Sequence, residues 1–250
     1  MKYTILGSGD SNGVPQIACK CYVCASGNPK NNRTRASLLV ESQKTKLLVD
    51  TSPDLRMQAI ENNINYIDAV LYTHAHADHI IGIDDVKKLN KNKTPLSAYM
   101  TEDTSKILKT TFPHVFFKTG KFYDPILSIN LFSSRFKVND IEVIPFRQKH
   151  GEIYTQGFRF GDLAYSTDVN HLDPEMILAL KGIKIWIVDC LRYYYAPTHS
   201  YLEKTLHWIS KIKPKTAILT HMAHEIDYDE IKYILPKNVI PAYDGMIINL

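Results

Sequence analysis

The chain has 250 residues, of which 44% are hydrophobic and 22% charged, and a formal net charge of +4. That length and make-up suit a folded chain able to bury a large core without disulfide staples, and they exclude a disordered, collagen-like or membrane-embedded sequence. The basic residues are spread along the chain and not interleaved with aromatics in one stretch, so a long nucleic-acid groove is not expected, while a small anionic partner is compatible.

Met1-Lys2 runs into Tyr3-Thr4-Ile5-Leu6, too short for a signal core, so a cytoplasmic protein without membrane attachment is expected. Cys19-x-Cys21-x-x-Cys24 follows, a poor disulfide framework that offers three thiolates toward a four-coordinate zinc site. On spacing alone an inert reduced group or a redox pair is the alternative. Lys46-Leu47-Leu48-Val49 predicts a strand ending at Asp50, and Pro53 to Asn62 predicts a helix with Ser52 as its N-cap. Ala69 to Thr73 predicts a strand ending at His74, and a helix follows from His79 to Leu89, starting at Asp78. The basic run Lys87 to Lys93 reads as a solvated helix end and loop, and the stretch from about Asn90 to Asn139 shows little periodicity.

Further strands are predicted at Glu142 to Phe146, leading to His150, and at Leu163 to Thr167, ending at Asp168. Two more, Ile185 to Val188 and Thr216 to Thr220, end at Asp189 and His221. Helices are predicted over Pro174 to Lys181, after Asp173, and over Leu202 to Ile212, after Ser200. Alternating strands and helices predict one layered α/β domain over residues 1–250. Cys190, inside the apolar run at 187–191, reads as a core residue.

Chemistry concentrates where strands end. Within His74-Ala75-His76-Ala77-Asp78-His79, His74 and His76 can point the same way from an extended loop, and Asp78 and His79 open the next helix. Imidazole with carboxylate suits two divalent metals with open positions for water, and spacing does not choose among Zn(II), Mn(II) and Fe(II).

The motif His74-x-His76-x-Asp78-His79 resembles the signature of the metallo-β-lactamase superfamily, and the later residues fall in that family's order. The resemblance implies an αββα sandwich, two mixed sheets between helical layers. It implies that His74, His76 and His150 hold one metal, that Asp78, His79 and His221 hold a second, and that Asp168 bridges both. Cys19, Cys21 and Cys24, together with His224 three residues after His221, resemble the PhnP-type phosphoribosyl cyclic phosphate phosphodiesterases. By that resemblance they form a Cys3His structural zinc site. The implied activity is attack by a metal-bridging hydroxide on a small cyclic phosphodiester, with His199 and Asp78 as catalytic residues and His199 as the general acid. A homodimer is implied by resemblance alone.

Some residues are not placed by this pattern. Asp50 reads as a carboxylate partner for a metal-bound histidine. Asp54 and Arg56 either line the pocket or pair with each other. Arg192 is a candidate phosphate clamp, and Tyr193, Tyr194 and Tyr195 suit stacking or an interface. His114, His171 and His207 read as ordinary. Thr51-Ser52-Pro53-Asp54-Leu55-Arg56 departs from the PhnP segment, so a nuclease, a thioester or lactam hydrolase, and a non-catalytic metal-binding accessory protein stay open as alternatives.

Overall fold

The computed structural model describes residues 1–92, 94–118, 120–121, 123–132 and 134–250; Lys93, the end of the basic run, lies outside them. β1 (Lys2–Gly7), β2 (Ser37–Glu41) and β3 (Lys46–Val49) form an antiparallel meander. Helix α1 (Leu55–Glu61) carries the chain to β4 (Ala69–Leu71), parallel to β3. Helices α2 (Ala77–Ile80) and α3 (Val86–Leu89), joined by a 3-10 segment over Ile81–Asp85, lead to β5 (Leu96–Met100). Helices α4 (Glu102–Thr111) and α5 (Pro113–Phe116) lead to β6 (Leu127–Leu131).

The second sheet repeats the scheme. β7 (Phe136–Val138), β8 (Ile141–His150), β9 (Ile153–Phe160) and β10 (Leu163–Ser166) pair antiparallel. After helix α6 (Pro174–Ala179), β11 (Ile185–Asp189) pairs parallel to β10. Helix α7 (Leu202–Ile212) leads to β12 (Thr216–Thr220), and α8 (Tyr228–Ile234) leads to β13 (Val239–Pro241), both parallel additions. β14 (Met246–Asn249) returns to the first sheet beside β1. The strand orders are β14-β1-β2-β3-β4-β5-β6 and β13-β12-β11-β10-β9-β8-β7.

The two-residue period of a strand explains why these runs are apolar throughout. Leu38, Val40, Leu47, Val49, Ala69 and Leu71 share a core with the second sheet's Phe158 and Phe160. The intervening Leu39, Leu48, Val70 and Tyr72 pack with Leu55, Ile83 and Leu108 of the helical layer. Met176, Trp208 and Ile231 bring α6, α7 and α8 onto the other sheet. The result is the αββα sandwich. Among the described residues no helix is long and apolar enough to cross a membrane.

Four local expectations are corrected. The predicted helix from His79 to Leu89 is instead α2, a 3-10 segment and α3, because the loop after β3 intrudes there. Gly82 N–H donates to Thr51 O at 2.9 Å, and a Cβ on Gly82 would meet Ser52 O at 2.0 Å. Asp78 lies inside α2, whose N-cap is His76. Asp54, not Ser52, is the N-cap position of α1. Asp54 does not pair with Arg56; it binds the Arg35 guanidinium at 3.0 Å and accepts the Arg35 N–H at 2.9 Å.

Candidate metal centre

Several strands deliver their terminal polar residues to one end of the sandwich. Asp50 follows β3, Asp168 follows β10 by two residues, and His221 follows β12. All three adopt left-handed backbone, with φ of 62°, 53° and 57°. Such a conformation costs a non-glycine residue on the order of 1 kcal/mol or more, and it turns each side chain sharply off its strand. Thr73-His74 leaves β4 at the same end, and His150 closes β8.

Asp168 stands at the middle of the assembly. Its Oδ1 lies 3.8 Å from His74 Nε2 and 3.8 Å from His150 Nε2, while its Oδ2 lies 3.1 Å from His79 Nε2 and 3.5 Å from His221 Nε2. Asp78 Oδ2 approaches His79 Nε2 at 3.1 Å and His221 Nε2 at 3.6 Å. The donor atoms of His74, His76, His150 and Asp168 lie within 4.8 Å of one another, and so do those of Asp78, His79, Asp168 and His221. The seven predicted positions therefore gather into two clusters that share one carboxylate.

Outer contacts fix the ring orientations. His150 Nδ1 is 2.7 Å from the Thr198 carbonyl oxygen, which can only accept, so the proton sits on Nδ1 and the Nε2 lone pair faces the cluster. His79 Nδ1 donates to Asp50 at 2.8 Å, and Asp50 also accepts the Thr73 N–H at 2.8 Å and the Thr73 hydroxyl at 2.7 Å. His74 Nδ1 meets Thr73 Oγ1 at 3.0 Å. Asp50 thus has the role expected for it.

The Nε2 atoms of His74, His79 and His221 are buried and make no hydrogen bond. Buried imidazole lone pairs turned toward carboxylate oxygens are costly unless a cation joins them. The donor set therefore fits divalent metals. The charges of the cluster are coupled to one another. Burial pulls His221 down, but Asp168 and Asp78 outweigh it and raise it to about 9; His79 is likewise held well above the usual histidine range by Asp168, Asp78 and Asp50 against burial. Burial drives His74 well below that range. Burial pushes Asp168 upward, yet His221 and His79 hold it well below the ordinary carboxylate value.

His199 joins this group from the loop before α7. Its ring stacks on His221 with centroids 4.7 Å apart, and its Nε2 lies 3.9 Å from Asp168 Oδ1. Its Nδ1 binds Asp189 Oδ2 at 2.9 Å, and the same oxygen accepts the Val169 N–H at 3.0 Å. Asp189 is a positioning residue to which sequence reasoning gives no role. Its signal is present: a carboxylate closing a buried strand, as Asp50 does.

A second cluster lies at the rim. His224 Nδ1 is 3.2 Å from Cys19 Sγ, 3.4 Å from Cys21 Sγ and 3.7 Å from Cys24 Sγ. The Cys24 N–H at its sulfur lowers the Cys21 thiol to about 6, which favours a thiolate ligand. Met222 N–H donates to Ser8 O at 2.9 Å, so the N-terminal loop is laced to the segment that carries His221 and His224.

Other expectations end elsewhere. Arg192 donates to the Tyr195 carbonyl at 3.0 Å and lies 3.9 Å from Glu225, with its guanidinium 4.5 Å from the Tyr194 ring centroid, so it braces its own loop. Tyr193 packs against the core, Tyr194 binds Glu225 at 2.8 Å, and Tyr195 is exposed. Arg56 donates to the neighbouring Met57 sulfur at 3.4 Å. His114 has a partner after all, Asp84 at 2.7 Å, on the surface and outside the site. A cleft of about 470 Å³ opens beside His74 and Ala75, walled by Thr101, Arg147, Ile153 and Tyr154.

Comparison with known proteins places this geometry. The family described as "Beta-lactamase superfamily domain" matches residues 45–222. A solved structure of a diphosphatase from the PhnP family is 34% identical, with a TM-score of 0.93, and the match covers 100% of this chain and 97% of that one. An octanoyltransferase of Porphyromonas gingivalis is 34% identical over 251 residues, covering 98% of this chain; the chain spans only 51% of that protein's length. Human tRNase Z, short form, shares the fold alone, at 16% identity and a TM-score of 0.71 over 100% of this chain and 99% of that one.

Proposed function

This chain belongs to the β-lactamase superfamily and is PhnP-like in fold, and we propose that it is a two-metal hydrolase that breaks a P–O bond in a small anionic substrate, a cyclic phosphodiester or a diphosphate. The observation that carries the reading is Asp168, one oxygen turned to His74 and His150 and the other to His79 and His221, with His199 at 3.9 Å. The 34% identical PhnP-family structure is that of a diphosphatase, which supports phosphoryl chemistry.

In this reading His74, His76 and His150 hold one divalent metal, Zn(II) or Mn(II), and Asp78, His79 and His221 hold another, with Asp168 serving both. Cys19, Cys21, Cys24 and His224 hold a structural zinc. Bound metals supply Lewis acidity toward a phosphoryl oxygen and activate a water. His199 acts in its imidazolium form: Nδ1–H donates to Asp189, which orients the ring, and Nε2–H is given to the departing oxygen. As the bond to phosphorus breaks, that oxygen takes the proton and leaves as an alcohol or phosphate. Asp50, through His79, and the Thr198 carbonyl, through His150, keep the ligand rings from turning during the cycle.

Turnover of bis-p-nitrophenyl phosphate, cyclic phosphates and diphosphates by metal-loaded protein, beside Asp168→Ala, tests the proposal. Activity lost in the variant supports it; silence from protein carrying both metals sinks it. The octanoyltransferase relative favours one second reading, thioester hydrolysis, and an octanoyl thioester in the same panel decides between them.

A further inference from the structure

The buried ligand histidines are not held alike. His79 Nδ1 donates to Asp50 at 2.8 Å, His150 Nδ1 donates to the Thr198 carbonyl at 2.7 Å, and His74 Nδ1 meets Thr73 Oγ1 at 3.0 Å. His221 is buried too, yet neither of its ring nitrogens makes a hydrogen bond. The carboxylate of Asp189 comes within 4.8 Å of it, but the oxygen Oδ2 is already shared by His199 and Val169. The orientation of His221 therefore rests on ring packing and on its backbone. That backbone sits at φ 57°, a sparsely populated conformation that persists only where its surroundings enforce it.

What enforces it lies outside the metal centre. From β12 to α8 the chain runs through His221 to Asp227 without helix or strand, and two groups pin that stretch. His224 turns its Nδ1 to the sulfurs of Cys19, Cys21 and Cys24 at 3.2 to 3.7 Å. Arg33, 1% exposed, reaches the carbonyls on either side of His224: Nη1 donates to Ala223 O at 3.3 Å and Nη2 to Ile226 O at 2.7 Å. Nη2 also donates to Asn31 Oδ1 at 3.0 Å, and Asn31 Nδ2 donates to Asp227 at 2.7 Å. Among the described residues no carboxylate lies within 4.0 Å of this guanidinium. Burial brings it down to about 10, and the charges of Asp244 and Asp227 work against that fall. Burying a cation against carbonyls and an amide alone carries a desolvation penalty, which sets Arg33 apart from an ordinary surface arginine.

We propose that the Cys19, Cys21, Cys24 and His224 cluster and Arg33 together position His221, so that zinc in the rim cluster raises the centre's affinity for the metal held by Asp78, His79 and His221. Arg33 is the positioning residue that carries the effect from His224 back to His221. The metal position at His74, His76 and His150 lies outside this coupling, because His74 and His150 have outer partners of their own. The proposal rests on the two-metal reading and gives the rim zinc a regulatory part in it, since the centre is then complete only when zinc supply fills both sites. Coupling between two binding sites is reciprocal, so the centre metals must tighten the rim zinc in turn.

Stepwise chelator competition with zinc reads the affinities of the two centre positions, and the step missing in His221→Ala identifies the one at His221. That position is expected to weaken by about tenfold or more in Cys19→Ser, and in Arg33→Met with rim zinc retained, as removal of a metal ligand's support implies. The other position stays within about twofold on the same argument. Arg33→Lys, which keeps the charge and a donor, recovers part of the loss. Circular dichroism checks the fold of each variant. Asp168→Ala supplies a test that leaves the rim untouched: unable to hold the centre pair, it is expected to yield its rim zinc at about tenfold lower chelator concentration than wild type. Equal weakening of both centre positions would mark a general loosening of the fold and overturn the proposal. Affinities within about twofold of wild type in both Cys19→Ser and Arg33→Met, or rim zinc held equally well in Asp168→Ala, would overturn it as well. Those results leave the two-metal reading standing, whereas wild-type protein that takes zinc at the rim and none at the centre sinks that reading and the coupling with it.

Discussion

Replacing Asp50 by asparagine changes one atom's chemistry at a buried position and isolates what the carboxylate does for the metal ligands. Burial pushes Asp50 upward, while His79 and the Thr73 N–H and hydroxyl act to keep it ionised. In Asp50→Asn the amide oxygen can still accept the Thr73 N–H, now 2.8 Å away, but the NH2 group then faces His79 Nδ1, also 2.8 Å away. To avoid two opposed donors, His79 must move its proton to Nε2, the nitrogen that faces Asp78 and Asp168 at 3.1 Å. That tautomer cannot ligate a metal. Undoing one charge-assisted hydrogen bond costs about 1.5–3 kcal/mol, which converts to a loss of about 10- to 100-fold in affinity. Chelator competition on purified protein reads the affinity of the two centre metals, and circular dichroism checks the fold. Affinity within about twofold of wild type, with the fold intact, would refute the argument that Asp50 sets the His79 tautomer.

Other outcomes follow from the same geometry. His199→Ala lowers kcat by about 10²- to 10⁴-fold with both centre metals retained, and loss of metal from the variant would contradict a proton-donor role. In metal-free protein His221 titrates near 9, above its ordinary 6.5, because Asp168 and Asp78 outweigh burial. That stabilisation is full below pH 6.5 and lost as pH rises through 9, so Tm of the metal-free form falls between those values, and a rising Tm would contradict the coupling. Gly82→Ala forces a Cβ to within 2.0 Å of Ser52 O and costs about 3 kcal/mol, read as a lowered urea midpoint. Cys19→Ser removes one zinc per chain by metal analysis and lowers Tm by about 5 °C or more; unchanged zinc content would exclude the four-ligand site at His224.

The seven residues around Asp168 were legible because each is announced by local sequence: a dense His-x-His-x-Asp-His run, and apolar strands that stop at His150, Asp168 and His221. The same buried strands made a layered α/β domain legible, since runs buried on both faces cannot alternate; its αββα form was expected from the family resemblance. What escaped depends on contacts distant in sequence or on the main chain. Asp54 binds Arg35, 19 residues away, and no local pattern marks that choice over Arg56. The partner of His150 is a carbonyl, that of Thr198, a group every residue carries. The break at Gly82 was hidden because α and 3-10 segments share nearly the same apolar spacing, and the cause is the Ser52 carbonyl pressing from another loop. Between 90 and 139 the signal was weak because β6 is an edge strand of its sheet, with only Leu127 buried in it.

The central claim is a pair of metals joined through Asp168 and working on a phosphoester. Anomalous-scattering crystallography of zinc-loaded protein, with phosphodiester turnover assayed on the same preparation, tests it most directly. The account predicts two zinc ions sharing Asp168, a third among Cys19, Cys21, Cys24 and His224, and phosphoester turnover abolished by Asp168→Ala. A single zinc at the centre, or two zincs with no phosphoester turned over, would contradict it.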